Sequence, residues 1–285
     1  MTPSNRRILF HRLAAASAFV LALGAAHAQN SRDAAGDARS EAAAYEPQVG
    51  QAGKDVIWVP TSEALVDHML RMAKITPEDY LVDLGSGDGR TVITAAQRGT
   101  RAHGIEFNPD MVELSREAAR KAGVADKATF AEGDIFESDF SDATVVTMFL
   151  LPELNLRLRP ILLDMKPGTR LVSNSFDMGD WEADESTDGG PECKSYCLAY
   201  KWIVPAKVAG TWTLDDGSTL TLDQTFQKLA GHLAANGERH ALSEAVMQGK
   251  RIVFTANGRQ YMGQVEADRM VGEGADGKAW GAKRG

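Results

Sequence analysis

An apolar strand that ends in an acid and three alternate glycines, VDLGSGDGR from Val82 to Arg90, constrains this chain more than any other segment. Gly85, Gly87 and Gly89 lack Cβ atoms, so the backbone can turn tightly there and approach a ligand closely. The residues that follow, TVITAAQRG from Thr91, predict a helix whose N-terminal amides point at whatever lies on the loop. A strand, glycine turn and helix in this order make a nucleotide-cofactor loop. The dinucleotide fingerprint G-x-G-x-x-G needs its third glycine three residues after the second. Here Arg90 stands in that position and the third glycine comes one residue early, so the loop departs from the dinucleotide pattern.

The segments after the loop alternate between strand and helix. RAHGIEFNPD, Arg101 to Asp110, predicts a short strand ending at Glu106. An acid there, about twenty residues past the glycine loop, can accept hydrogen bonds from both hydroxyls of a ribose. Asn108 and Pro109 open a helix with apolar Met111, Leu114 and Ala118, stopped at Gly123. ATVVTMFLL, Ala143 to Leu151, is an unbroken apolar run that suits a central strand covered on both faces. A helix, the turn KPGTR and a strand from Leu171 to Phe176 follow. Ahead of the loop, a helix over Ser62 to Lys74 puts Leu65, Met69 and Met72 on one face for packing. The fold class is therefore α/β, a doubly wound, Rossmann-like, mostly parallel sheet with its ligand above the strand C-termini.

Over about Val56 to Pro205 the chain resembles the class I S-adenosyl-L-methionine (SAM) methyltransferases, in which an acid precedes G-x-G-x-G. Within that class it resembles a family of short methyltransferases that includes mitochondrial protein-lysine methyltransferases acting on ATP synthase c subunit and related proteins, and an archaeal protein-lysine methyltransferase. The segments that carry the resemblance are Trp58 to Leu70, DLGSGDGR, Glu106, GDIFESD, Phe149 to Ser173, and FDMGDW from Phe176 to Trp181. The resemblance implies SAM as cofactor, held by Asp83, Gly85, Ser86, Gly87, Asp88, Gly89, Glu106, Asn108, Asp134 and Ile135. Asp134 would face the adenine amine and Ile135 would pack on the ring. Methyl transfer from a sulfonium is an in-line displacement, so the protein chiefly aligns and dehydrates the acceptor nucleophile. Trp58, Phe149 and Phe176 are candidates to line the acceptor channel. Asn174, Asp180 and Trp181 are candidates for a catalytic part, with Asp180 placed to assist proton removal. Phe149, Phe176 and Trp181 read equally well as core residues.

Residues 1–28 have the form of a cleaved export signal, with Arg6, Arg7 and Arg12, an apolar stretch from Leu13 to Ala26, and Ala26-His27-Ala28 before a mature start near Gln29. The stretch is too short for a membrane span of about twenty residues. A periplasmic or secreted location follows as an expectation, with the export route left open. Residues 29–54 read as a flexible lead-in. The net charge is −8, and loss of the three leader arginines takes it to about −11, which disfavours a nucleic-acid partner. Cys193 and Cys197 are the only cysteines. A short-loop disulfide and two free thiols are both compatible with their spacing, and no metal site is expected.

From about Ala206 the pattern changes to short alternating segments separated by DDG, ANGE, ANG and GEGADG. This texture predicts a small antiparallel β-meander or partly closed barrel of five or six strands over 206–285, with Trp212 and Trp280 in its core. The leading function is methyl transfer to a protein lysine. A small-molecule acceptor is the alternative within the class, and an exported non-catalytic SAM- or nucleoside-binding protein is the alternative outside it.

Overall fold

The computed structural model describes residues 45–285. The expected export signal over 1–28 and the lead-in as far as residue 44 lie outside the described residues. The first sheet is built from β1 (Tyr80–Leu84), β2 (Arg101–Glu106), β3 (Ala128–Glu132), β4 (Val145–Met148), β5 (Arg170–Asn174), β6 (Glu185–Asp188) and β7 (Leu198–Ile203). Their order is β3-β2-β1-β4-β5-β7-β6. Strands β1 to β5 run parallel, and β7 lies antiparallel to β5 and to β6. The order reverses between β1 and β4, and such a switch point opens a crevice at the strand C-termini where ligands bind.

Helices α1 (Glu63–Ala73), α2 (Arg90–Gln97) and α3 (Pro109–Lys121) cover one face, and α4 (Pro152–Leu163) covers the other. The boundaries of α1 follow from its caps. The Ser62 hydroxyl accepts from the Leu65 amide at 3.3 Å, and Lys74 closes the helix in the left-handed region at φ 52°. Leu65, Met69 and Met72 all lie in the core beneath it. Asn108 caps α3 by accepting from the Asp110 amide, with Pro109 as the first helical residue. Among the described residues no helix is long and apolar enough to cross a membrane.

The C-terminal part forms nine strands, β8 (Gly210–Leu214), β9 (Thr219–Thr225), β10 (Lys228–Ala235), β11 (Glu238–Ala241), β12 (Ser243–Gln248), β13 (Arg251–Ala256), β14 (Arg259–Glu266), β15 (Arg269–Gly274) and β16 (Ala279–Arg284). Eight of them close a ring, because β16 pairs with β8 and β10 bridges β9 to β12, while β11 extends β10 on the outside. The barrel is thus fully closed and larger than the five or six strands expected. One hairpin accounts for part of the difference, and β12 for another part. The run STLTLDQTFQKLAGHL reads as continuous, yet it turns back at Phe226-Gln227 with no glycine or asparagine at the bend. Trp212, Phe254, Tyr261 and Trp280 fill the interior, with the Phe254 and Tyr261 rings stacked 4.7 Å apart.

Phe226 explains its own bend. It sits in the left-handed region at φ 54°, and its ring stacks on buried Trp181 of the first sheet's layer at 5.7 Å. Arg159 lies over that ring, 5.3 Å from its centroid. Gln227 donates to the Glu182 carbonyl at 2.8 Å, and Lys228 pairs with the Glu182 carboxylate. An aromatic plug and the polar contacts to Glu182 thus join the barrel to the α4 side of the sheet. Truncating a buried tryptophan costs about 3–5 kcal/mol. Trp181→Ala should lower the stability in urea unfolding by that amount, whereas Asp180→Ala, at an exposed neighbour, should change it by less than about 0.5 kcal/mol.

Candidate functional site

A cleft open to solvent lies at the switch point, lined by the ends of β1, β2 and β4 and by residues 51–61. Its floor is the glycine loop. Gly85, Gly87 and Gly89 all adopt positive φ, at 75°, 55° and 79°, where a Cβ would strain the chain. The loop is pinned from below by the Ile105 carbonyl, which accepts from the amides of Gly85 and Ser86 at 2.8 and 3.1 Å. Ser115 on α3 donates to the Gly87 carbonyl at 2.9 Å. Gly85, Ser86, Gly87 and Asp88 line the cleft. Gly89 does not line it. It caps α2, and a Cβ on it would come within 2.8 Å of the Phe130 ring and 2.9 Å of Ser115, so its smallness serves packing.

Glu106 ends β2 beside this loop. One carboxylate oxygen accepts from the Gly87 amide and the other from the Asn108 amide, both at 2.9 Å. Each oxygen keeps further lone-pair capacity, as recognition of a vicinal hydroxyl pair requires. Asp83 lies deeper, 7% exposed, with the Thr147 hydroxyl donating to it at 2.6 Å. Burial drives its pKa up to about 7, and the nearby Asp88 and Glu106 carboxylates push the same way. Asp134 and Ile135 close the far end. Asp134 accepts from the Phe136 amide at 2.9 Å and pairs with Lys54, whose ammonium also lies 4.9 Å from the Phe107 ring centroid. The Lys54 ammonium holds the Asp134 carboxyl below its usual range. Glycine floor, twin-anchored acid and apolar walls fit an adenosyl sulfonium: the backbone approaches closely, the acid suits the ribose and Asp83 suits a cation.

The roof is the segment 51–61, which runs from the hairpin joined at Ala52 and Ile57 to Thr61. Residues 51–54, read from the sequence as flexible lead-in, here line the cleft. Trp58 lies over the glycine loop, and a Cβ on Gly87 would sit 2.6 Å from its indole nitrogen. Arg90 ties roof to floor: it forks onto Asp88 and donates to the Thr61 carbonyl at 2.8 Å. Sequence reasoning missed the roles of Lys54, Arg90 and Thr147. Arg90 alone carried a signal, since it occupies the place of the third dinucleotide glycine.

Of the acceptor-side candidates, Trp58 and Phe149 line the cleft and Phe176 stacks near Phe149, at 6.2 Å between centroids. The three catalytic candidates do not line it. Asn174 is buried, donating to the Thr61 hydroxyl and accepting from Ser175, so it braces the roof. Trp181 is the plug between sheet and barrel rather than a channel wall. Asp180 is exposed and paired with Arg159, away from the cleft lining, because the turn after Met178 points it to solvent. Proton removal by Asp180 is therefore corrected.

Two stability outcomes follow from this geometry. The Asp83 pKa in the folded chain is above its unfolded value, so the folded state holds a proton that the unfolded state loses between pH 4 and 7. Stability from this group is thus present at low pH and lost as pH rises to about 7. Asp83→Asn keeps an acceptor for Thr147 and should raise the melting temperature at pH 8 by roughly 2–6 °C, with a smaller rise at pH 5, where only part of that loss has accrued. Gly87→Ala meets both positive φ and Trp58, and should cost about 1–3 kcal/mol in chemical denaturation.

Comparison with known proteins agrees with the site. Residues 83–185 match the family model described as the ANTKMT methyltransferase domain. A protein-lysine N-methyltransferase of Saccharolobus islandicus is 44% identical over 133 residues, which are 46% of this chain and 83% of that protein. The lysine N-methyltransferase of Mus musculus that is named for the ATP synthase c subunit is 36% identical over 134 residues, 47% of this chain and 54% of that protein. The match thus spans about half the length of the mouse relative. A crystal structure described as an RNA methyltransferase from Salinibacter ruber with S-adenosyl-L-homocysteine is 47% identical, covering 53% of this chain and 96% of that one, with a TM-score of 0.49. The chain belongs to the class I SAM-dependent methyltransferases, in the family of the Saccharolobus protein.

Proposed function

We propose that this enzyme methylates the ε-amino group of lysine in protein acceptors. The observation that carries the reading is the 44% identity over most of a protein named for that activity. The cleft supports it, since its lining includes apolar Val59, Pro60, Phe149, Leu150 and Leu154. Within this reading Glu106 holds the ribose hydroxyls and the glycine-loop amides face the amino-acid end. Asp83 faces the cationic ammonium and Asp134 the adenine amine, to which it turns when Lys54 gives way. Gly89 supports the loop from behind.

Bound SAM supplies a methyl group already activated on a sulfonium. The chain's own task is on the acceptor side. A lysine ammonium has no lone pair, and the apolar mouth lowers its pKa so that its proton passes to solvent. The Phe149 and Leu154 walls exclude water and align the free amine for in-line attack. An RNA acceptor, the substrate named for the Salinibacter protein, is disfavoured by the net charge of −8. We further propose an exported enzyme, a reading supported by the signal-like leader and by the bond between Cys193 and Cys197.

Labelled SAM incubated with the full chain and total cell protein should yield methyl-lysine on acid hydrolysis. Tight SAM binding with no methylated protein would overturn the lysine reading. Since a cationic ligand prefers ionised Asp83, SAM affinity should fall as pH drops below about 7, approaching tenfold per pH unit. Calorimetry at pH 7 in buffers of different ionisation enthalpy should show proton release on binding, and Asp83→Asn should abolish it.

A further inference from the structure

Three aromatic rings from three elements converge just outside the cleft. Phe149 follows β4, Phe176 follows β5 and Tyr196 precedes β7. Phe149 and Tyr196 meet edge to face at 5.2 Å, and Phe176 lies 6.2 Å from each of the others. The antiparallel register of β7, which sets Ala199 opposite Asn174, brings the segment before β7 over the same rim as the end of β5. Of the three, Phe149 lines the cleft, and Phe176 and Tyr196 pack around it.

Tyr196 is not placed as a core residue would be. Its surface is 47% exposed, and its backbone is left-handed at φ 53°, a conformation that costs a non-glycine residue about 1–2 kcal/mol. It lies within the loop closed by the Cys193–Cys197 disulfide, whose first sulfur is buried against Gly189. The Gly189 amide donates to the Cys197 carbonyl at 2.7 Å, so both ends of the loop are fixed to the sheet edge. A covalent clamp thus holds an exposed tyrosine against a ring of the cleft. Ring faces attract ammonium groups, and three converging rings do so while excluding water from the stem of the side chain.

Resting on the lysine reading above, we propose that Phe149, Phe176 and Tyr196 form an entry collar for the acceptor's cationic side chain. Tyr196 is its specificity-determining residue, presented by the Cys193–Cys197 clamp. The collar receives the lysine as an ammonium, and the proton leaves as the nitrogen passes Phe149 into the mouth.

The test uses the full chain, labelled SAM and total cell protein as acceptor, with methyl-lysine as the readout. Tyr196→Ala should raise the half-saturating acceptor concentration roughly tenfold, with kcat changed by less than about twofold. Tyr196→Phe, which keeps the ring, should restore it. The double variant Cys193→Ser, Cys197→Ser should shift it in the same direction as Tyr196→Ala. Calorimetric SAM affinity should be unchanged in all three. Methylation by Tyr196→Ala with wild-type acceptor saturation would overturn the collar and leave the lysine reading intact. Equal loss of SAM affinity in Tyr196→Ala would also overturn it, since the residue would then serve the fold. Absence of methyl-lysine with the wild-type enzyme and bound SAM would sink the lysine reading, and the collar with it.

Discussion

The carboxylate of Glu106 joins the two halves of the cleft, and the remaining site geometry depends on that junction. Its two oxygens take one backbone amide from the glycine loop and one from the turn into α3. Those hydrogen bonds fix the loop after β1 against the end of β2, at the point where the sheet order reverses. Charge-assisted hydrogen bonds to an anchored carboxylate are stronger than neutral ones, so the acid is oriented before any ligand arrives. Asp83 adds the opposite device. It is kept in a dry place where its proton is held to about pH 7, at the cost of stability, until a cation makes ionisation favourable. Function and stability pull apart at this residue.

The barrel is attached to this machinery without contributing to the cleft lining. Its plug, Phe226 on Trp181, lies on the α4 face of the sheet, and Arg159 is shared between that plug and the turn carrying Asp180. The residues that looked catalytic after β5 therefore serve the joint between layers. Coverage of the α4 face also accounts for buried Trp202, whose indole donates to the Trp181 carbonyl at 2.8 Å. A sheet face that one helix alone leaves bare is completed by a second body.

Much of this was legible in the sequence where local chemistry decides the outcome. The helix expected over Ser62 to Lys74 runs from Glu63 to Ala73 between those two residues, and Asn108-Pro109 opens α3. The strand ending at Glu106 stands where spacing put it. The failures are equally specific. Strand β6 is ESTD, polar and largely exposed at a sheet edge, so it has no hydrophobic period to detect. The Phe226-Gln227 hairpin lacks turn residues because tertiary stacking on Trp181, not local preference, supports its backbone. Lys54 reaches Asp134 across 80 positions of chain, and no periodicity encodes such a pairing. The cysteine pair was ambiguous by spacing alone, and the conformation of the loop that contains Tyr196 settles it as a bond.

A crystal structure of the full chain grown with S-adenosyl-L-homocysteine tests the account most directly. The ligand should lie across Gly85 to Asp88, with its ribose hydroxyls on Glu106 and its sulfur facing Phe149. Lys54 should have left Asp134. A ligand bound elsewhere, or a Glu106 carboxylate turned away from the ribose, would contradict the cradle on which every later step depends.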